Sequence, residues 1–284
     1  MTTATHDVPV NVSIDEPPAR FRDLLSAEWI KLWSLRSTGW AFAAAALAII
    51  LFNVNAAYAD YSNWPHYDAD TRAGFIPSWA LRDAFTNFAG NGVILAISAI
   101  GALTVTSEYS TGMIRTTFAA VPVRRSVMAA KVVVVTVVTT GFGVLAAGAS
   151  FFLTQAVLSG RHTGMSITDP GAMRAMAGAA LLAPVSALVG MGLGAIIRHS
   201  ATTIVTSVAV LLMLPISLSG DHYWTAVISH AMPHYAWTHL MEGDDVPWAH
   251  YAFPTTVAGA WTVYAAWAST AILLVVMIPS RRDV

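Results

Sequence analysis

Apolar residues in this chain run in long stretches separated by short polar segments. Six stretches carry no Asp, Glu, Lys or Arg at all: 37–59, 84–107, 132–160, 175–197, 199–220 and 246–280. A helix rising 1.5 Å per residue needs about 20 mainly apolar residues to cross a ~30 Å hydrocarbon layer, and every stretch is long enough. Spanning helices are therefore expected near 38–58, 85–107, 126–158, 172–197, 201–218 and 256–278. Strands are not expected, because the β-branched run 132–138 continues into an uncharged segment too long for a barrel strand.

Ahead of the first span, 20–36 reads RFRDLLSAEWIKLWSLR, in which Phe21, Leu24, Leu25, Trp29, Leu32 and Trp33 recur at helical spacing. The pattern predicts an amphipathic helix lying in the membrane interface; the alternative is an extension of the first span. Residues 1–19 are polar and proline-bearing, without the basic start and apolar core of a cleavable signal, and read as a disordered cytoplasmic tail.

Composition turns this pattern into a class. Of 284 residues 56% are apolar and 11% charged, against ~25% charged in a soluble domain, which excludes a soluble enzyme. The expected fold is all-α and integral to the membrane, with six transmembrane helices behind the interfacial helix. Net charge is −1, so no attraction to nucleic acid is implied, and the absence of cysteine excludes disulfide and thiol chemistry. Six spans put both termini on one side, and that side collects 11 of the 15 basic residues, leaving Arg72, Arg82, Arg161 and Arg174 opposite. Lys and Arg accumulate in cytoplasmic loops, so the N and C termini are expected in the cytoplasm. Trp64, Trp79, Tyr223, Trp224, Trp237, Trp248 and Tyr251 then fall near the outer interface, where amphipathic rings settle.

Three features carry candidate chemistry. The connection 108–131, EYSTGMIRTTFAAVPVRRSVMAAK, is too polar to insert, yet Met113, Ile114, Thr117, Phe118 and Val121 give it an apolar surface. A short amphipathic helix is expected there, ended by Pro122, with Ser126 capping the next helix; the alternative is a basic loop in which Arg124, Arg125 and Lys131 set topology. Inside the spans no ionisable residue sits at the centre, which disfavours a proton relay and leaves Asn53, Asn55, Asn87, Asn91 and Gln155 as candidates to line a cargo path. Ser186, Gly190 and Gly194 form a small face for close helix packing, within the subunit or between subunits, and Pro184 and Pro215 are expected to kink their helices. In the outer connection 219–255, His222, His230, His234, His239 and His250 accompany Asp221, Glu242, Asp244 and Asp245. His230 and His234, four apart, are the metal candidates, but Pro233 lies between them and no H-E-x-x-H occurs, so a polar, pH-sensitive cap stands beside the metal reading.

The 108–131 run resembles the permease subunits of the ABC-2 family of ATP-driven transporters in its acidic-aromatic start, Gly112, Arg115-Thr116-Thr117, Pro122, Arg124-Arg125 and Ala130-Lys131. Glu28-Trp-Ile-Lys31, the run GMGLGAIIRHSATTI at 190–204 and the Arg281-Arg282-Asp283 ending extend the resemblance over 20–284. The resemblance implies a connecting helix at 20–36 and a six-helix ABC-2 type transmembrane domain at 37–284, whose coupling loop docks on an ATPase through Glu108, Tyr109, Met113, Ile114, Arg115 and Phe118. It also implies two ATPase copies carrying ATP and Mg, a second permease copy or paralogue, and a place in the bacterial plasma (inner) membrane. No G-x-x-x-x-G-K-[ST] loop is present to cradle phosphates, so this chain is expected to be no enzyme and to bind no cofactor of its own. The implied function is export of a hydrophobic or amphiphilic cargo such as a drug, antibiotic peptide or lipid-like molecule. A non-transporting sensor or immunity subunit coupled to an ATPase is the first alternative; a membrane metalloenzyme using the outer histidines is the second.

Overall fold

A computed structural model describes residues 20–121, 123–218, 222–242 and 255–281. The expected tail 1–19, Pro122, Asp221, Asp244, Asp245, Trp248, His250, Tyr251, Arg282 and Asp283 lie outside the described residues. Helices α1 (Phe21–Ser34) and α2 (Arg36–Asn63) are separated by Leu35, whose extended backbone breaks the chain of helical hydrogen bonds. Short helices α3 (Ala69–Ala73) and α4 (Ala80–Ala84) follow, then α5 (Asn87–Ser110), α6 (Met113–Ala120), α7 (Arg124–Ser159) and α8 (Ala172–Ile197). After α9 (Ser200–Val208) come α10 (Leu214–Ser217), α11 (Tyr223–His230), α12 (Pro233–Glu242) and α13 (Val257–Arg281). Among the described residues there is no strand, and six helical segments are long and apolar enough to cross a membrane: Arg36–His66, Phe75–Ser110, Arg124–Ser159, Ala172–Ile197, Ser200–Ser217 and Val257–Pro279.

The centre of the bundle is α8, which packs against α5, α7, α9, α12 and α13 and is the most buried of the six. Its sequence, AMRAMAGAALLAPVSALVGMGLGAII, is rich in small residues that let backbones approach closely. A Cβ at Gly190 would collide with the Ser98 carbonyl oxygen, and one at Gly194 would press on Thr106 and the Ala102 carbonyl, both on α5. The Ser186, Gly190 and Gly194 face is thus spent inside the subunit, with Ser186 Oγ donating to the Leu182 carbonyl at 2.8 Å. Pro184 cannot donate to the Ala180 carbonyl, and that oxygen lies where a Cβ on Gly143 of α7 would sit.

Two local expectations need correction. Ser126 does not cap α7: the helix begins at Arg124, behind Val123, which offers no side-chain acceptor. The fifth span departs from regular α geometry beside Pro215, as expected of a proline there: Ala209–Met213 forms a wider π turn just before it, and its missing N–H cannot satisfy the preceding turn. The stripe on α1 is divided, because Leu24 and Glu28 are buried whereas Phe21, Trp29 and Trp33 are exposed. A charged residue, not an aromatic one, therefore lies on the packed face of α1.

Candidate functional site

Glu28 is buried with a partner on its own helix, Lys31, and one on a distant helix, Lys131. Lys131, two turns into α7, donates to Glu28 Oε2 and, at 2.9 Å, to Glu108 Oε1 near the end of α5. Lys31 on α1 donates to Glu28 Oε1 at 2.7 Å and to Glu108 Oε1 at 3.1 Å. Two carboxylates and two ammonium groups close a neutral four-membered cluster. Glu28, Glu108 and Lys131 are 4%, 3% and 4% exposed, so bulk water does not screen them. A buried charge is costly to leave alone and tolerable only when paired and hydrogen-bonded, which makes each member a condition for the others. Burial opposes the charge on Lys31, yet hydrogen bonding to Glu28 and the fields of Glu108 and Glu28 raise its pKa above the ordinary lysine value. The cluster welds α1, α5 and α7 together at the place where α6 joins them.

The turn into α6 is made by Thr111 and Gly112, the latter at φ 71, a left-handed conformation that glycine adopts at little cost. On α6, Ile114 and Phe118 are buried against the bundle, and the Arg124 guanidinium stands 5.3 Å over the Phe118 ring. Glu108, Ile114 and Phe118, expected to touch a partner, are therefore interior groups of this chain. Met113 and Arg115 remain exposed, beside Thr116, Ala119 and Ala120. Tyr109 is half-buried beneath the Arg198 guanidinium, 4.9 Å away, and Arg198 itself holds a left-handed φ of 60 as it closes α8.

The five cargo-path candidates separate. Asn53 is buried and bonded at both ends of its amide: Nδ2 donates to Ser150 Oγ at 3.0 Å, while Oδ1 accepts from Thr86 N at 3.0 Å and Thr86 Oγ1 at 2.8 Å. Gln155 clamps two segments, donating to the Ala80 carbonyl at 3.0 Å and accepting from Met165 N at 2.8 Å. Both amides therefore pin the bundle. Asn55 and Asn87 are exposed, and Asn91 is half-buried with an unpaired Oδ1. A cavity of about 30 Å³ lies between α2, α5, α7 and α8, lined by Asn53, Gly90, Gly143, Ala147, Ser150 and Trp237 among others. That volume holds about two waters and no cargo molecule.

Trp237, expected in an interfacial belt, is instead 1% exposed in the core, whereas Trp79, Tyr223 and Trp224 are exposed. The belt expectation fails for it because α12 packs against α8 and α13. His230 closes α11 and His234 stands in the first turn of α12, so the pair does not share one helix and the four-residue spacing aligns no ligands. His230 lies against the Tyr235 ring and His234 against Trp237. Among the described residues no group of three His, Cys, Asp or Glu could hold a metal ion. Burial, joined for His230 by the neighbouring His239, lowers the pKa of both below the ordinary histidine value.

Sequence reading places only Glu108 of the four clustered charges in a site. Of the other three only Lys131 borders a long uncharged stretch, 132–160, while Glu28 and Lys31 lie among the charges of 20–36. No family model and no curated protein matches this chain.

Proposed function

We propose that this chain is the permease subunit of an ATP-binding cassette transporter of the ABC-2 type, exporting a hydrophobic or amphiphilic cargo across a bacterial plasma membrane. In this reading α6 is the coupling element, and its exposed Met113, Arg115, Thr116 and Ala119 meet a separate ATPase subunit that binds ATP and Mg. The α1 helix lies in the cytoplasmic interface with Trp29 and Trp33 at headgroup level, and both termini are cytoplasmic. Two copies of the ATPase and a second permease complete the assembly.

The observation that carries this reading is the cluster of Glu28, Lys31, Glu108 and Lys131. A push on α6 cannot be absorbed locally, because its two buried anchors, Ile114 and Phe118, and the welded ends of α5 and α7 move with it. The wanted behaviour of a coupling element is this combination of an exposed face and a rigid footing. Glu108, Ile114 and Phe118 hold the footing, and Met113 and Arg115 make the contact. The test is ATP hydrolysis by the chain co-purified with an ATPase subunit and reconstituted in vesicles. Arg115→Glu is expected to weaken assembly by about tenfold, the scale of one reversed interface charge. Unchanged assembly and hydrolysis in both Arg115→Glu and Met113→Asp would contradict the assignment.

A further inference from the structure

The cavity between α2, α5, α7 and α8 is lined by small residues, including Ala89, Gly90, Gly143, Ala147 and Ala183, and by larger ones such as Phe85 and Phe142, and α12 contributes Trp237. The fit of that indole is specific. A Cβ on Gly90 would overlap its ring carbons, so glycine at this position is what admits the ring. The Trp237 Nε1–H is buried and has no hydrogen-bond partner, although an indole N–H taken from water into an apolar interior normally finds an acceptor. Asn53 cannot supply one, because its carbonyl oxygen already accepts from Thr86 twice. The α12 helix is tied to its neighbours by two side chain to backbone hydrogen bonds near its ends: Arg174 Nε to the Leu240 carbonyl at 2.9 Å and Trp267 Nε1 to the Ala231 carbonyl at 2.6 Å. Between those ties the indole lies over Gly90, with the His234 ring beside it.

We infer that this cavity, with Trp237 as its removable roof, is a binding chamber for a small neutral molecule that has an apolar body and one hydrogen-bond acceptor. The walls supply apolar contact without charge, and Trp237 Nε1 is the lining polar atom without a partner. The space holds about 30 Å³ with the indole in place, so the indole must withdraw from over Gly90 when such a molecule enters. The chamber is a property of the chain itself and does not require an ATPase partner, so it stands or falls separately from the coupling role of α6.

The chain has no native cysteine, which makes a single thiol a clean reporter. Ala147→Cys places one on the chamber wall, and Thr168→Cys, at an exposed position, serves as the accessible control. The purified full chain in lipid nanodiscs is treated with methyl methanethiosulfonate, a small neutral probe with sulfonyl acceptors, or with its charged sulfonatoethyl analogue. With Trp237 in place the chamber thiol should react far more slowly than the control. Adding Trp237→Ala should speed its reaction with the neutral probe by about tenfold or more, as expected when a local barrier is removed, and leave the charged probe slow. Gly90→Ala, which displaces the indole without deleting it, should do the same and covers the case in which Trp237→Ala does not fold. No acceleration in a folded variant, or equal acceleration for both probes, would overturn the inference.

Discussion

The four-charge cluster and the Trp237 chamber are both buried polar features, and they are satisfied in opposite ways. In the cluster every member holds a partner on another helix, and the sum of charge is zero. In the chamber the polar groups divide: the Asn53 amide is bonded through both its oxygen and its nitrogen, while Trp237 Nε1 has no partner, nor has Nε2 of His234, whose ring lies against that indole. A saturated network resists displacement because any movement exposes charge to a low-dielectric interior. An unsaturated one stands to gain a hydrogen bond by moving or by taking a ligand. The contrast assigns rigidity to the junction of α1, α5 and α7, and adaptability to α12.

The sharpest way to break this contrast is Lys131→Met. It leaves Glu28 and Glu108 buried with only the half-exposed Lys31 between them, and loss of about 3–5 kcal/mol is expected in chemical unfolding of the detergent-solubilised protein. Combining it with Glu108→Gln restores neutrality and should recover most of the loss; equal damage in both variants would refute the closed-cluster description. Glycine substitutions probe the same contrast at smaller scale. Gly190→Ala drives a methyl group into backbone of α5 and should cost about 1–3 kcal/mol. Gly90→Ala meets ring carbons of Trp237 and not backbone, so, with the indole free to withdraw as inferred above, its cost in the same unfolding assay should be clearly lower.

The smallest effects come from pH, and the two regions should weaken at opposite ends of the scale. His230 and His234 have lowered pKa values, so on acidification the unfolded chain takes up protons near ~6.5 before the folded one does, and stability falls as pH drops below that value. Lys31 has a raised pKa; its contribution is fully present below the ordinary lysine value of ~10.4 and is lost as pH climbs through the higher folded value. Thermal unfolding across pH, compared with His234→Phe and Lys31→Met, should flatten the acid limb in the first variant and the alkaline limb in the second.

Much of the bundle was legible because uncharged length alone identifies a helix that can lie in hydrocarbon. The helix at 21–34, the short helix at 113–120 and the packing role of Gly190 and Gly194 followed from spacing of apolar and small residues. What spacing could not reveal is which partner a charge meets. Glu28 and Lys131 are 103 residues apart, and nothing local to either distinguishes a buried ion pair from two solvated charges. Trp237 misled for a related reason: an aromatic residue in an outer connection reads as an interfacial anchor unless the glycine that receives it, Gly90 on another helix, is known. Ile114 and Phe118 were correctly recognised as an apolar face, but amphipathicity does not say whether the face turns toward its own bundle or toward another protein.

The central claim is that force applied at α6 reaches the rest of the bundle through the charge cluster. The most direct test is the rate at which the thiol of Ala147→Cys reacts with methyl methanethiosulfonate in a complex with the proposed ATPase partner, with and without ATP. The account predicts an acceleration of about tenfold on ATP addition that disappears with Arg115→Glu, while the rate without ATP is unchanged. A chamber reactivity that is the same with and without ATP, in a complex that is hydrolysing it, would contradict the account.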